Sequence, residues 1–93
     1  MSTGNAYVGT SSGPITSTKL VYADQGLLLG YFVSSTSSGT IKAYDSATAA
    51  TSSIVLHDTF TPAGTGWFPC PVGFSTGLYL VIGGTISVVA VYA

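Results

Sequence analysis

Ninety-three residues make one domain with a single modest core. Apolar residues are 46% of the chain and charged residues only 5%, with a formal net charge of −1, where about 25% charged is usual. That balance excludes nucleic acid and anionic membrane surfaces as partners, because Lys19 and Lys42 are the only cations available to neutralise phosphate.

Ser and Thr together fill 26 positions, so the polar surface is mostly hydroxyl. A surface with so little charge resists association poorly, which predicts that neighbours cover much of it. Cys70 is the single cysteine, so there is no internal disulfide and no thiol-based metal site; between Pro69 and Pro71 it reads as a small buried hydrophobe.

In chain order, residues 1–12 have little to bury and read as a flexible or extended N-terminal arm whose apolar handles are Tyr7 and Val8. They lack the basic and apolar regions of a secretory signal. The domain proper is residues 13–93. "ITSTKLVY" (15–22) follows a Gly-Pro start and reads as a strand. "LLLGYFVS" (27–34) is continuously apolar, the pattern of a central strand covered on both faces, with Gly30 marking a bulge or close contact. "TIKAYD" (40–45) alternates, placing Ile41, Ala43 and Asp45 on one face and Lys42 and Tyr44 on the other.

"DSATAATSS" (45–53) is a loop with at most one helical turn. "SIVLHDTFT" (53–61) alternates again, with His57 on the solvent side. "WFPCP" (67–71) is short and proline-limited, hence an edge strand. "LYLVI" (78–82) and "TISVVAVY" (85–92) flank Gly83-Gly84, a two-residue hairpin turn. The similar pieces "TSSGPI" and "TSSGTI" read as turn chemistry used twice. About seven short strands in this length predict an all-β fold, an antiparallel β-sandwich or small jelly roll. The most apolar stretch, "LYLVIGGTISVVAVYA", has 16 residues split by two glycines, short of the roughly 20 that a membrane helix needs.

Gly73-Phe74-Ser75-Thr76-Gly77 fits G-x-S-x-G, the elbow that exposes a hydrolase serine. A strand pattern follows it instead of a helix, and His57 with all three aspartates precedes Ser75, the reverse of the usual order. It therefore reads as a turn, and no catalytic residue is assigned. His57 and Asp58 are neighbours on a strand, so their side chains diverge. Asp24 and Asp45 sit beside turn residues, where Asp caps backbone amides. No cofactor or metal site is expected, since a metal needs three or four converging ligands. Trp67 and Phe68 form the most aromatic patch: core plugs, an interface anchor, or a stacking platform for sugar.

The progression "GTIKAYDSATA", then "TFTPAGTGWFPCPVGFSTGLYLVIGGTISVVAVY", resembles small β-sandwich structural proteins of tailed bacteriophages, over roughly residues 26–92. The parts that carry the resemblance are Gly39-Thr40-Ile41 entering a strand that ends at Tyr44-Asp45, Pro62 to Trp67, Pro71 to Phe74, and Gly77-Leu78-Tyr79. It implies a non-enzymatic virion protein, made in the host bacterial cytoplasm. Such a protein decorates and cements the capsid exterior, or serves as a glycan- or receptor-binding module of a fibre or tail. The implied partners are copies of itself, with a trimer favoured, and the major capsid protein or other virion proteins. The expected contact residues are Tyr7, Val8, Trp67 and Phe68.

Overall fold

Two long runs of β-branched and aromatic residues carry the architecture. In the computed structural model, which describes residues 9–93, the strands are β1 (Thr10–Ile15), β2 (Lys19–Tyr22), β3 (Gly26–Asp45), β4 (Ile54–Phe60), β5 (Gly66–Phe74) and β6 (Leu78–Tyr92). They form one antiparallel sheet, and among the described residues there is no helix. β3 and β6 pair along nearly their whole length, from Leu28↔Tyr92 to Asp45↔Leu78. The shorter strands flank the two ends of this ribbon. At one end the order is β1-β6-β3-β5, and at the other β2-β6-β3-β4.

Among the described residues six strands therefore replace the seven expected. Two anticipated turns lie inside strands, merging two pairs into β3 and β6, while the expected strand over 15–22 is broken after Ile15, so that Thr10–Ile15 form β1 and only Lys19–Tyr22 form β2. Residues 34–39 do not separate two strands; they continue β3, with register shifts between Val33 and Ser35 and between Ser37 and Ser38. Gly83-Gly84 likewise bends β6 without reversing it. Gly84 has φ +65°, and a Cβ there would collide with the Ser38 carbonyl, so the bulge needs glycine on both counts. Ser38 itself has φ 60° and Gly13 φ 73°. "TSSGPI" and "TSSGTI" are thus two β-bulges. β1 begins at Thr10, so residues 10–12 of the expected arm lie in the sheet.

The bend lets both ends of the ribbon line one core. Leu28, Tyr31, Val33, Ile86, Val88 and Ala90 from one end join Ile41, Ala43, Leu78 and Leu80 from the other, all at most 3% exposed. Ile15 and Phe74 close the cluster. Bulges set which side chains face it. The β3–β5 register shifts between Leu28 and Gly30, so the inward parity passes from Leu28 to Tyr31 and Val33. A shift in β3–β4 lets His57 pair with Ala43 and Phe60 with Ile41. Cross-strand partners share a face, so His57 points inward, the opposite of its expected orientation. Strict alternation in the sequence could not reveal a bulge that costs one residue of register.

The loop after β3 folds around Ser46, 2% exposed, whose hydroxyl accepts the amides of Thr48 (3.2 Å) and Ala50 (3.1 Å). Among the described residues β5 pairs only with β3 and is an edge, as its prolines predict.

Candidate functional site

Outside the core, the first end of the sheet presents an apolar face. The registers align Pro14, Val89, Phe32 and Trp67 in one row across β1, β6, β3 and β5. Phe32 is 47% exposed and Trp67 49%. The neighbouring row is Ser11, Val91, Gly30 and Pro69. A Cβ at Gly30 would stand 2.8 Å from Cη2 of Trp67, so the indole lies over the bare backbone of that glycine. β3 is central as expected, but only one of its faces is covered here. An unbroken apolar run looked like a doubly buried strand, which hid Phe32 as a surface residue.

No charged residue lies in β1, in β5, in β3 before Lys42, or in β6. Lys19, Lys42, Asp45 and Asp58 sit at the other end, and Asp24 in the loop that joins β2 to the start of β3. Lys42 stands 3.6 Å from Asp58 and 5.2 Å from the Tyr44 ring centroid. The charge of the molecule is segregated along the long strands.

Trp67 and Phe68 are split between faces. Phe68 turns inward, packs against the core cluster and meets Phe60 edge-on, ring centroids 5.5 Å apart. Trp67 faces out. Tyr7 and Val8, the remaining expected contact residues, lie outside the described residues.

β4 and β5 both pair with β3 yet diverge from one another, leaving a cavity of 280 Å³ lined by Tyr31, His57, Asp58, Phe60, Phe68, Pro69 and Cys70. One polar link spans the two ends of the sheet here. The Tyr31 hydroxyl lies 2.5 Å from Nε2 of His57, and Nδ1 of His57 lies 2.8 Å from the Asp58 carbonyl. A carbonyl only accepts, so Nδ1 carries the proton, and in the neutral ring Nε2 accepts from Tyr31. Burial, with a smaller push from Cys70, raises the Tyr31 phenol well above its usual range. Burial also pushes the Cys70 thiol up. The sequence marked none of this: Tyr31 and His57 lie 26 positions apart, and only the fold joins them.

Ser75 stands in a clamped turn. The Asp45 carboxylate accepts five hydrogen bonds: through Oδ2 from the amide (3.0 Å) and hydroxyl (2.9 Å) of Ser75, and through Oδ1 from the amide and hydroxyl of Thr76 (2.8 Å each) and the amide of Gly77 (3.2 Å). Partial desolvation pushes Asp45 upward, but the Ser75 and Thr76 bonds outweigh it and hold the carboxyl well below the usual range. A Cβ at Gly77 would strike the Ser46 and Tyr22 carbonyls, so close packing explains the second glycine of the motif. The Ser75 hydroxyl is committed to Asp45, and the His57 ring to Tyr31 and Asp58. Asp24 caps the Gln25 amide at 2.8 Å, the role its position predicted. No group of three or more His, Cys, Asp or Glu able to hold a metal occurs among the described residues.

No protein-family model, curated protein or solved structure matches this chain.

Proposed function

We propose that this chain is a non-enzymatic virion structural protein of a tailed bacteriophage, a capsid decoration protein that assembles through the uncharged face of its sheet. The observation that carries the reading is the row Pro14–Val89–Phe32–Trp67, set in a region without a single charge. An exposed aromatic row with no charge around it is the composition of an interface centre. The resemblance to small phage β-sandwich proteins supplies the virion context. In this reading the bent sheet is a β-sandwich. The long strands β3 and β6 join its layers on one side, and the Tyr31–His57 and Phe60–Phe68 contacts close the other. The partners are copies of the chain, as a trimer, and the major capsid protein.

The hydroxyls and histidine that could serve catalysis are engaged in holding turns and layers together, which supports a structural role. The test is solution mass by light scattering across a micromolar series, for the wild type and for Trp67→Ala. A discrete multiple of 9.4 kDa that falls apart in the variant, with the fold retained, is expected. A wild type that stays monomeric throughout contradicts the reading.

One observation favours a second reading, a glycan-binding module of a fibre or tail. The indole of Trp67, spread over Gly30 and half-exposed, has the form of a stacking platform for a sugar ring. Titration of host polysaccharide against tryptophan fluorescence separates the two: a saturable shift supports the platform, and an unchanged spectrum supports assembly.

A further inference from the structure

The cavity between β4 and β5 shares only Pro69 with the two rows of the apolar face, and its occupation does not rest on the assembly reading. We propose that it is a binding site for one small, uncharged aromatic ring carrying a hydrogen-bond donor, a phenol or an indole.

Size comes first. A cavity of about 150 Å³ accommodates benzene, so 280 Å³ holds one substituted ring or two fused ones. The walls come next. Phe60 and Phe68 meet edge-on and, with Pro69 and Cys70, give an apolar lining suited to a ring. The polar corner then sets orientation. The Tyr31 hydroxyl donates its proton to His57, and no other hydrogen bond reaches its oxygen among the described residues. That oxygen retains acceptor capacity with no donor of its own to offer. A ligand O–H or N–H supplies what it lacks, whereas a ligand carbonyl finds only the weak Cys70 thiol as a donor. Asp58 at the rim is already paired with Lys42 and with the Thr59 amide, so no cationic group is needed, and an anionic one meets a carboxylate.

The same ring could arrive as a free small molecule or as a tyrosine side chain of another protein, and the chemistry is shared. Both sources are distinguished by comparing p-cresol with N-acetyltyrosinamide.

The experiment is titration of the full chain with p-cresol, toluene and N-acetyltyrosinamide, followed by amide and aromatic NMR. We expect p-cresol to saturate in the millimolar range or tighter, as befits eight heavy atoms, moving resonances of Tyr31, His57, Phe60, Phe68 and Cys70. Toluene, the same shape without the donor, binds several-fold more weakly, the scale of one net hydrogen bond. Tyr31→Phe removes that preference so that the two ligands bind alike. Cys70→Leu, which fills the cavity from its wall and leaves the Tyr31–His57 link in place, abolishes both. Binding of N-acetyltyrosinamide alongside p-cresol assigns the site to a protein side chain; its exclusion assigns a free ligand. The proposal is overturned if p-cresol gives no saturable shifts, if the shifts map elsewhere, or if toluene binds the wild type equally well. Persistence of binding in folded Cys70→Leu overturns it too.

Discussion

Replacing Asp45 with Asn tests whether one carboxylate holds the turn that resembles a hydrolase elbow. The isostere keeps the shape and removes one acceptor atom and the charge. An amide nitrogen placed at Oδ2 forfeits the Ser75 amide bond and makes the Ser75 hydroxyl turn from donor to acceptor; placed at Oδ1, it forfeits the Thr76 and Gly77 amide bonds and turns the Thr76 hydroxyl likewise. The first is the smaller loss and sets the estimate. Hydrogen bonds to a charged acceptor are worth about 1.5–3 kcal/mol when buried, but this turn is largely exposed and solvent screening reduces each to about 1 kcal/mol. One lost bond, the reversed hydroxyl bond and the weakening of the remaining three, now made to a neutral acceptor, give about 2–3 kcal/mol. For a chain this size that lowers Tm by roughly 8–20 °C, a large part of a typical domain stability.

The pH dependence carries a sign that can be checked separately. The folded-state value for Asp45 is depressed, so the unfolded chain binds protons more readily. The stabilisation is complete above the unfolded value near 3.9 and is lost as pH falls through the folded one. Thermal melts followed by circular dichroism from pH 6 downward should show the wild type losing stability below about pH 4, with Asp45→Asn much flatter. Asp58 is also depressed, by the Thr59 amide and then by Lys42, so some slope remains in the variant. Equal stability of the two proteins at pH 7, or parallel curves below pH 4, would refute the clamp.

Three further outcomes are expected. Gly84→Ala forces a side chain into a left-handed backbone against the Ser38 carbonyl and should cost about 1–3 kcal/mol, read by urea unfolding; a neutral result would remove the bulge as a requirement. Phe68→Ala should cost about 2–4 kcal/mol by emptying part of the core margin, while Trp67→Ala should cost under about 1.5 kcal/mol because the indole is half-exposed; reversal of that order would mean the faces of β5 are assigned wrongly. Cys70, whose thiol is pushed up by burial, should alkylate with iodoacetamide at pH 7.5 several-fold more slowly than free cysteine, and a faster rate would contradict its setting.

Strand content was legible where composition acts locally. "TIKAYD" put Ile41 and Ala43 on one face and Lys42 on the other, and the structure buries the first pair; the prolines of β5 marked an edge. What escaped was anything decided across strands. Gly83-Gly84 carries the chemistry of a reversing turn, yet β6 continues because Ser38 on β3 makes a matching bulge opposite it. A single strand's sequence does not contain its partner's register. His57 reads as solvent-facing by alternation and is turned inward by a bulge that serves Phe60 equally. Trp67 was visible as part of an aromatic patch, though first as a core plug, and its companion Phe32 was concealed in an apolar run; only pairing with Val89 and Trp67 places it on the surface.

The size of the apolar face constrains how it can act. Four strands at about 4.8 Å spacing, each contributing about six residues of 3.3 Å rise, span roughly 400 Å². A stable pairwise interface buries about 800 Å² on each partner. One such face is therefore too small to hold two molecules together tightly, and no electrostatic steering is available from a region without charge. An isolated pair should dissociate readily. On the proposed assembly, affinity would come from repetition: in a closed ring each subunit would make two contacts, and on a regular lattice each ring would engage several sites at once, so the effective concentration of the second contact would replace intrinsic strength. Placing four of the five charges at the opposite end of the long strands, with Asp24 in the β2–β3 loop, is consistent with that arrangement, because it leaves the uncharged strand faces to meet neighbours and keeps the other end hydrated. A decoration protein needs this combination of weak single contacts and strong repeated ones, whereas a receptor module acting alone would need a larger or more polar site than the face of this sheet provides.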